Sequence, residues 1–415
     1  MRILMLSWEY PPKSIGGLAQ HVYDLSNAMA KQNNEVHIIT VGSPDVPDYE
    51  NVNGVHVYRV TPYQVSSPDF ITWVMQLNIA MLEKCLTLVR DMGNSFDIIH
   101  AHDWLVAYAA RALKHSLNNP MVATIHATEY GRNNGLHNDL QRHISDIEWW
   151  LCFEAWRVIV CSQYMQGEVR RVFQVPEDKL EIIPNGVNPD YFIPRESNTK
   201  RTEYAAPNEK IIFYVGRLVR EKGVQVLLEA APKILHYHPN TKFVIAGKGP
   251  HTIPLRRLAR RLRVDHKVYF TGYVDDKARN SLYQFADVAV FPSLYEPFGI
   301  VALEAMAART PLVVSDTGGL SAIVNHGVNG LKAYVGNANS VADNVLHMLM
   351  DPESANRMEK RAYREVVEKY NWSRISRNTV RLYEDVLSIH NSISRQPRVD
   401  EKENGILGKF FNQQQ

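Results

Sequence analysis

Two glutamates eight residues apart, Glu296 and Glu304, enclose the stretch EPFGIVALE, which follows the apolar run VAVFP. Pro297 and Gly299 mark a turn. IVALEAMAA then reads as a helix, with Ile300, Leu303 and Met306/Ala307 at core spacing. Glu296 falls in the loop at the strand's C-terminal end, and Glu304 more than one turn inside the helix. The amides of Phe298, Gly299 and Ile300 are the donors that a helix start leaves unpaired. Amides that donate to oxygen anions, beside carboxylates that accept from hydroxyls, suit an anionic, polyhydroxylated ligand. Composition alone would make Glu296 a loop acid and Glu304 a solvated helix position.

Two glycine-containing turns extend this chemistry. GRLVREKG (216–223) presents Arg217, Arg220 and Lys222 ahead of a helix starting near Gly223. Arginine forks two phosphate oxygens and lysine adds a point charge, so the loop fits a diphosphate as well as it fits a plain basic turn. SIGGLAQ places Gly16 and Gly17 before another helix, where backbone approaches a phosphate closely. HAHDW (100–104) sets His100 and His102 on one strand face, with Asp103 or His126 as a third metal ligand. A hydrogen-bonding role for His102, Asp103 and His126 at strand ends is favoured over a metal, and no metal is expected. GKGPH lacks the third glycine of a dinucleotide fingerprint, and neither GxxxxGK[ST] nor a DxD pair occurs.

The elements that must hold these loops alternate. Apolar runs at 2–7, 35–41, 55–60, 97–100, 121–126 and 157–162 are separated by helical patterns such as Leu18–Lys31, with Leu18, Val22, Leu25 and Met29 on one face. A second series follows at 210–216, 242–247, 267–272, 287–293 and 311–316. Strands alternating with helices predict an α/β fold with parallel sheets covered on both faces. The Pro-, Asn- and charge-rich stretch 182–210 divides the arrays. Two doubly wound domains facing a cleft are therefore expected, at 1–190 and 191–372, with ligands beyond the C-terminal strand ends. A last helix near 373–392 could pack on either domain, and 393–415 reads as a flexible tail.

The 415 residues carry a formal net charge of +2, too balanced for a nucleic-acid partner. Cys85, Cys152 and Cys161 lack disulfide or metal spacing, and their usage suits a reducing compartment. MRILMLSWEYPP is too short and too polar for a signal peptide, and no apolar run is long enough to span a bilayer, so the cytoplasm is the expected location. The basic amphipathic segment 254–263, with Leu255, Leu258 and Leu262 inward, offers at most a weak membrane-surface contact and reads first as a solvated outer helix.

In order, WEYPPKSIGGLAQHV, HAHDW, TIHATEYG, IPNGVNPDYF, GRLVREKG, AGKGP, FTGYV and FPSLYEPFGIVALEAMAARTPLVVSDTGGL resemble a GT-B-fold, retaining nucleotide-sugar glycosyltransferase of the family 4 type over nearly the whole chain. The resemblance implies that Glu296 contacts the donor hexose and Glu304 the nucleotide ribose. It implies Phe298, Gly299 and Ile300 as amide donors, Arg217 and Lys222 at the diphosphate, Gly17, with Gly16, at a donor phosphate, and Val274 at the donor site. His126 would lie near the sugar and Asp103 would contact the hexose. The last helix would cross back to the first domain. Nucleotide sugar and a glycan acceptor are the implied partners, with no cofactor. The motifs are most similar to glycogen and starch synthases, which implies ADP- or UDP-glucose and an α-1,4-glucan. Phe298 stands where longer bacterial synthases carry Cys, and KSIGGL where they carry KxGGL. A lipid or cell-surface polysaccharide precursor is thus an alternative acceptor, and a phosphorylase of the same fold an alternative enzyme. A glycosidase fits poorly, because its two carboxyl groups must flank one bond and Glu304 lies within a helix.

Overall fold

A computed structural model describes residues 1–14, 16–64, 69–93, 95–193 and 200–394; of the expected tail at 393–415, the first two residues belong to the last helix and 395–415 lies outside the described residues. The first half contains β1 (Arg2–Leu6), α1 (Gly17–Ala30), β2 (Glu35–Val41), β3 (Tyr49–Val52), β4 (Val55–Val60), α2 (Phe70–Met92), β5 (Ile98–His102), α3 (Ala107–Leu117), β6 (Met121–Ile125), α4 (Glu129–Asn133), α5 (Asp139–Glu154), β7 (Arg157–Val160), α6 (Gln163–Phe173) and β8 (Leu180–Ile182). The second contains β9 (Lys210–Val215), α7 (Val224–Tyr237), β10 (Thr241–Ala246), α8 (Thr252–Arg261), β11 (Val268–Gly272), α9 (Asp276–Phe285), β12 (Val288–Phe291), α10 (Ile300–Ala307), β13 (Leu312–Ser315), α11 (Gly318–Ile323), β14 (Leu331–Ala333), α12 (Ala338–Met350), α13 (Pro352–Lys369) and α14 (Trp372–Ser394).

The strands form two sheets, ordered β3-β4-β2-β1-β5-β6-β7-β8 and β11-β10-β9-β12-β13-β14. All pairings are parallel except β3 with β4. The sequence pattern did not reveal β3, β8 or β14. YENV alternates exposed and half-buried at an edge, and LEI and LKA are three-residue strands, so none carries an apolar run. The central strands do: β1, β5, β6, β12 and β13 are buried almost throughout, as strands covered on both faces must be.

In each sheet the strand order reverses beside the first strand, β1 between β2 and β5 and β9 between β10 and β12. Such switch points open a crevice at the C-terminal strand ends. The segments after β1, β5 and β6 and those after β9 and β12 accordingly carry most of the sequence-predicted residues, with Val274 after β11. Helix α14 returns to the first sheet. Trp372, Ile375, Leu382, Tyr383 and Val386 join a core cluster with Ile3, Met5, Val22 and Leu25, and the Tyr383 hydroxyl lies 2.6 Å from His100 Nδ1. That settles the placement which periodicity left open. Helix α8 exposes Arg256, Arg257 and Arg260 and buries Leu255, as an outer helix should. None of the described helices is long and apolar enough to cross a membrane.

Candidate functional site

The strand β12, the turn and α10 form as expected, but the two glutamates are not solvated. Glu296 and Glu304 are only 7% and 8% exposed. Lys222 Nζ donates to Glu296 Oε2 at 2.8 Å, and the Ser293 hydroxyl donates to the same oxygen at 3.1 Å. Lys222 comes from the loop after β9, so the two candidate loops of the second sheet meet in one ion pair. Glu304 accepts from the Tyr283 hydroxyl at 2.9 Å, and Arg279 lies 3.8 Å away. Both partners sit on α9, a contact that helix periodicity could not reveal. Burial, then the Glu304 charge, holds the Tyr283 phenol far above its ordinary pKa, so it remains a donor.

Gly299 caps α10 with a φ of +107°, a conformation that favours glycine. The first amides of α10 have no intrahelical partner and carry the positive end of the helix dipole. Ile300 begins that helix and is one point of contact with the first half: a Cβ on Gly17 would stand 2.8 Å from Ile300 Cδ1. Lack of a side chain at Gly17 therefore lets α1 and α10 converge by their N-termini. Gly16 precedes α1, and its amide donates to Glu9 Oε2 at 3.2 Å. The loop Asp316–Gly319, quoted within the C-terminal motif but given no role, packs on this turn, with the Gly319 amide donating to the Glu296 carbonyl at 2.9 Å. Arg217 is exposed at the rim, its carbonyl accepting from the Tyr214 hydroxyl at 3.2 Å. Val274 packs against the core from the loop after β11.

Across the cleft, Asp103 directly follows β5 with a φ of +61°, which costs an L-residue about 1–3 kcal/mol. Its carboxylate accepts from the His126 amide at 2.8 Å, which locks the loop after β6. Burial pushes the Asp103 carboxyl up to about 6, opposed by Arg132 and the His126 amide. Burial and Arg132 together push His126 down to about 3, so its imidazole is neutral near pH 7. Arg132, on α4, had no motif to announce it.

The metal set that the sequence raised and set aside, His100 and His102 with Asp103 or His126, is not the group the fold brings together. Both ring nitrogens of His100 are engaged, with Thr124 Oγ1 at 2.7 Å and the Tyr383 hydroxyl at 2.6 Å. Asp103 is committed to the His126 amide. Among the described residues, the histidines that could share an ion are His21, His102 and His126, each with one nitrogen within 4.8 Å of the others. His21 lies on α1 and was not marked by the sequence. Burial holds His21 and His102 well below the ordinary range, so all three are neutral. The cysteines are free and buried, and burial pushes Cys161, directly after β7, up to about 12.

The Glycosyltransferase Family 4 model matches residues 15–191, and the model for Glycosyl transferases group 1 matches residues 196–365. An uncharacterized glycosyltransferase of Methanocaldococcus jannaschii is 44% identical over 92% of this chain and 98% of its own length. The glycogen synthase of Mycobacterium tuberculosis is 37% identical over 92% of this chain and 94% of its own. Among solved structures, sucrose-phosphate synthase from Thermosynechococcus elongatus superimposes with a TM-score of 0.80 at 26% identity, covering 94% of this chain and 99% of that one. With the two facing sheets, the returning helix and this span of similarity, the chain belongs to the family 4 type of GT-B glycosyltransferases.

Proposed function

We propose that the protein is a retaining hexosyltransferase that moves a glucosyl unit from ADP- or UDP-glucose to an α-1,4-glucan in the cytoplasm, without a metal ion. The observation that carries this reading is the ion pair of half-buried Lys222 with buried Glu296 beside the N-terminus of α10. A cation and a carboxylate held together there serve the two ends of a sugar diphosphate. Lys222, Arg217 and the amides of Phe298, Gly299 and Ile300 offset charge growing on the leaving diphosphate, an arrangement that needs no reorganisation during reaction. Glu296 faces the hexose, where positive character develops. Glu304, with Tyr283 behind it, accepts from the ribose, and Gly16 and Gly17 approach a donor phosphate. Asp103 and His126 line the sugar from the other half, and Val274 bounds the nucleotide. The acceptor attacks from the face the diphosphate leaves, and a leaving phosphate oxygen takes its proton. Closure keeps water from the donor.

The glucan acceptor draws support from the 37% identity to a glycogen synthase. A second acceptor class, a lipid or cell-surface polysaccharide precursor, is favoured by Phe298, which stands where longer bacterial synthases carry Cys. A panel of nucleotide sugars, read by nucleoside diphosphate release with and without glycogen, tests the reading. Release from ADP- or UDP-glucose, stimulated by glycogen and unchanged by saturating chelator, is expected. Glycogen-independent release points to the second acceptor class. Loss on chelation that a divalent ion restores makes His21, His102 and His126 ligands. Absence of turnover with every donor overturns the enzyme reading.

A further inference from the structure

A chain of hydrogen bonds crosses the cleft between the two catalytic loops. Tyr295, next to Glu296, is 9% exposed, and its hydroxyl donates to Glu168 Oε1 on α6 at 2.9 Å. The same oxygen accepts from the Thr128 hydroxyl at 2.6 Å. Thr128 lies two residues after His126 and also accepts from the Gly131 amide at 2.9 Å, capping α4. Glu168 itself is 3% exposed. The order is thus His126 loop, Thr128, Glu168, Tyr295, Glu296, Lys222, with bonded contacts throughout. A second bond runs alongside, the Ser162 hydroxyl donating to the Pro297 carbonyl at 2.7 Å. The packing is specific to this pairing: a Cβ on Gly131 would collide with the Tyr295 hydroxyl and the Glu168 carboxylate together. Burial and the Glu168 charge hold the Tyr295 phenol far above its ordinary range, so it stays a donor at any working pH.

We infer that Thr128, Glu168 and Tyr295 form a cross-cleft relay that fixes the Glu296 loop relative to the His126 loop, so that the two sides of the sugar site reach their working positions only as a unit. None of the three is placed against the donor; they are positioning residues. The inference rests on the proposed transferase reading for its catalytic consequence, but the relay itself is a structural statement. It follows from a general constraint. Groups contributed by two separately folded halves are aligned to the accuracy that transfer needs only if something ties the halves at the site, and misplacement by about 1 Å costs on the order of 10²-fold in rate.

The test uses the full chain and the variants Tyr295→Phe, Glu168→Ala and Glu168→Gln. In hydrogen exchange read by mass spectrometry, Tyr295→Phe should raise exchange at 126–134 and Glu168→Ala should raise it at 293–299, each in the half that was not altered. Exchange confined to the altered half overturns the relay. In kinetics, Tyr295→Phe and Glu168→Ala should each lower kcat about tenfold while the donor KM stays within about threefold, and the fraction of donor hydrolysed rather than transferred should rise. Glu168→Gln keeps an acceptor oxygen for both hydroxyls and should retain most activity. The double variant Tyr295→Phe/Glu168→Ala should be no worse than either single one, as for groups in one network. Unchanged kcat in both variants, or additive losses, overturns the positioning role. If the wild-type protein turns over no donor, the transferase reading fails, and the exchange experiment still decides whether the relay exists.

Discussion

At the residue scale, Glu296 and Glu304 are held by different partners, and that separates what their loss should do. Glu296 faces Lys222 and Ser293, whereas Glu304 is backed by Tyr283 and Arg279. Glu296→Gln keeps an oxygen for Lys222 but removes the negative charge that the proposed reading sets opposite the hexose. It should lower kcat by about 10²-fold or more. In the proposed reading Glu304 binds the ribose, which does not react, so for Glu304→Gln the donor KM should rise while kcat changes less. Helix periodicity puts neither residue in the core, yet both are buried. Each amide retains an acceptor for its partner, so each melt should fall by less than about 2 kcal/mol of stability. Donor-saturation kinetics with thermal melts check this pair; a kcat collapse for Glu304→Gln with only a KM shift for Glu296→Gln reverses the roles. Lys222→Ala and Arg217→Ala should each cost more than about 2 kcal/mol of transition-state stabilisation, because in the proposed reading each removes a charge-assisted contact to the leaving anion. Activity within threefold of wild type in both variants removes the diphosphate assignment.

At the scale of elements, α4 and α5 join through Glu148, whose two oxygens accept from the Glu129 amide at 2.9 and 3.0 Å. Burial pushes this carboxyl up to about 8, against the pull of the Glu129 amide and Arg132. Between its unfolded value near 4.5 and about 8, the folded protein binds the proton that the unfolded chain releases. Stability therefore falls as pH rises through that window. The histidines act oppositely: His21, His100, His102 and His126 are held below 6.5 when folded, so their contribution grows up to about 6.5 and is then complete. Above that point Glu148 is left to act, and the melting temperature should decline from pH 6.5 to 8. Glu148→Gln should flatten the decline, and an unchanged slope in melts taken across this range removes the assignment. Elements of this kind also mark the limit of what the sequence makes legible. The run VAVFP, the turn EPFG and the helix IVALEAMAA are visible because strand, turn and helix each carry a local signal. The Glu304–Tyr283 bond and the gathering of His21 with His102 and His126 are not, because they join residues from elements distant in sequence. YENV, LEI and LKA stay hidden for a different reason, being too short or too exposed to carry a period.

At the scale of the whole molecule, the chain passes between the two halves twice, in the connection after β8 and on entering α14, which returns over the first sheet. The second joint is packed as a core, not as a surface contact. Tyr383 is fully buried, and its hydroxyl shares a bond with His100, whose other nitrogen is paired with Thr124. Removal of the ring should leave a cavity costing about 3–5 kcal/mol and a buried imidazole nitrogen without its partner. Tyr383→Ala should therefore lower the melting temperature sharply and raise hydrogen exchange in α1, β1 and β5, which share the cluster with α14. Tyr383→Phe keeps the packing and loses only the bond, at a cost of about 1–3 kcal/mol. Exchange in β9, β12 and α7 should respond little to either substitution, because their apolar residues belong to the other cluster. A uniform rise across both sheets would instead mean that the halves unfold as one unit. Loss confined to the first half with preserved binding of a nucleoside diphosphate assigns α14 to the architecture of the first half, and leaves the second half's own loops to hold the nucleotide.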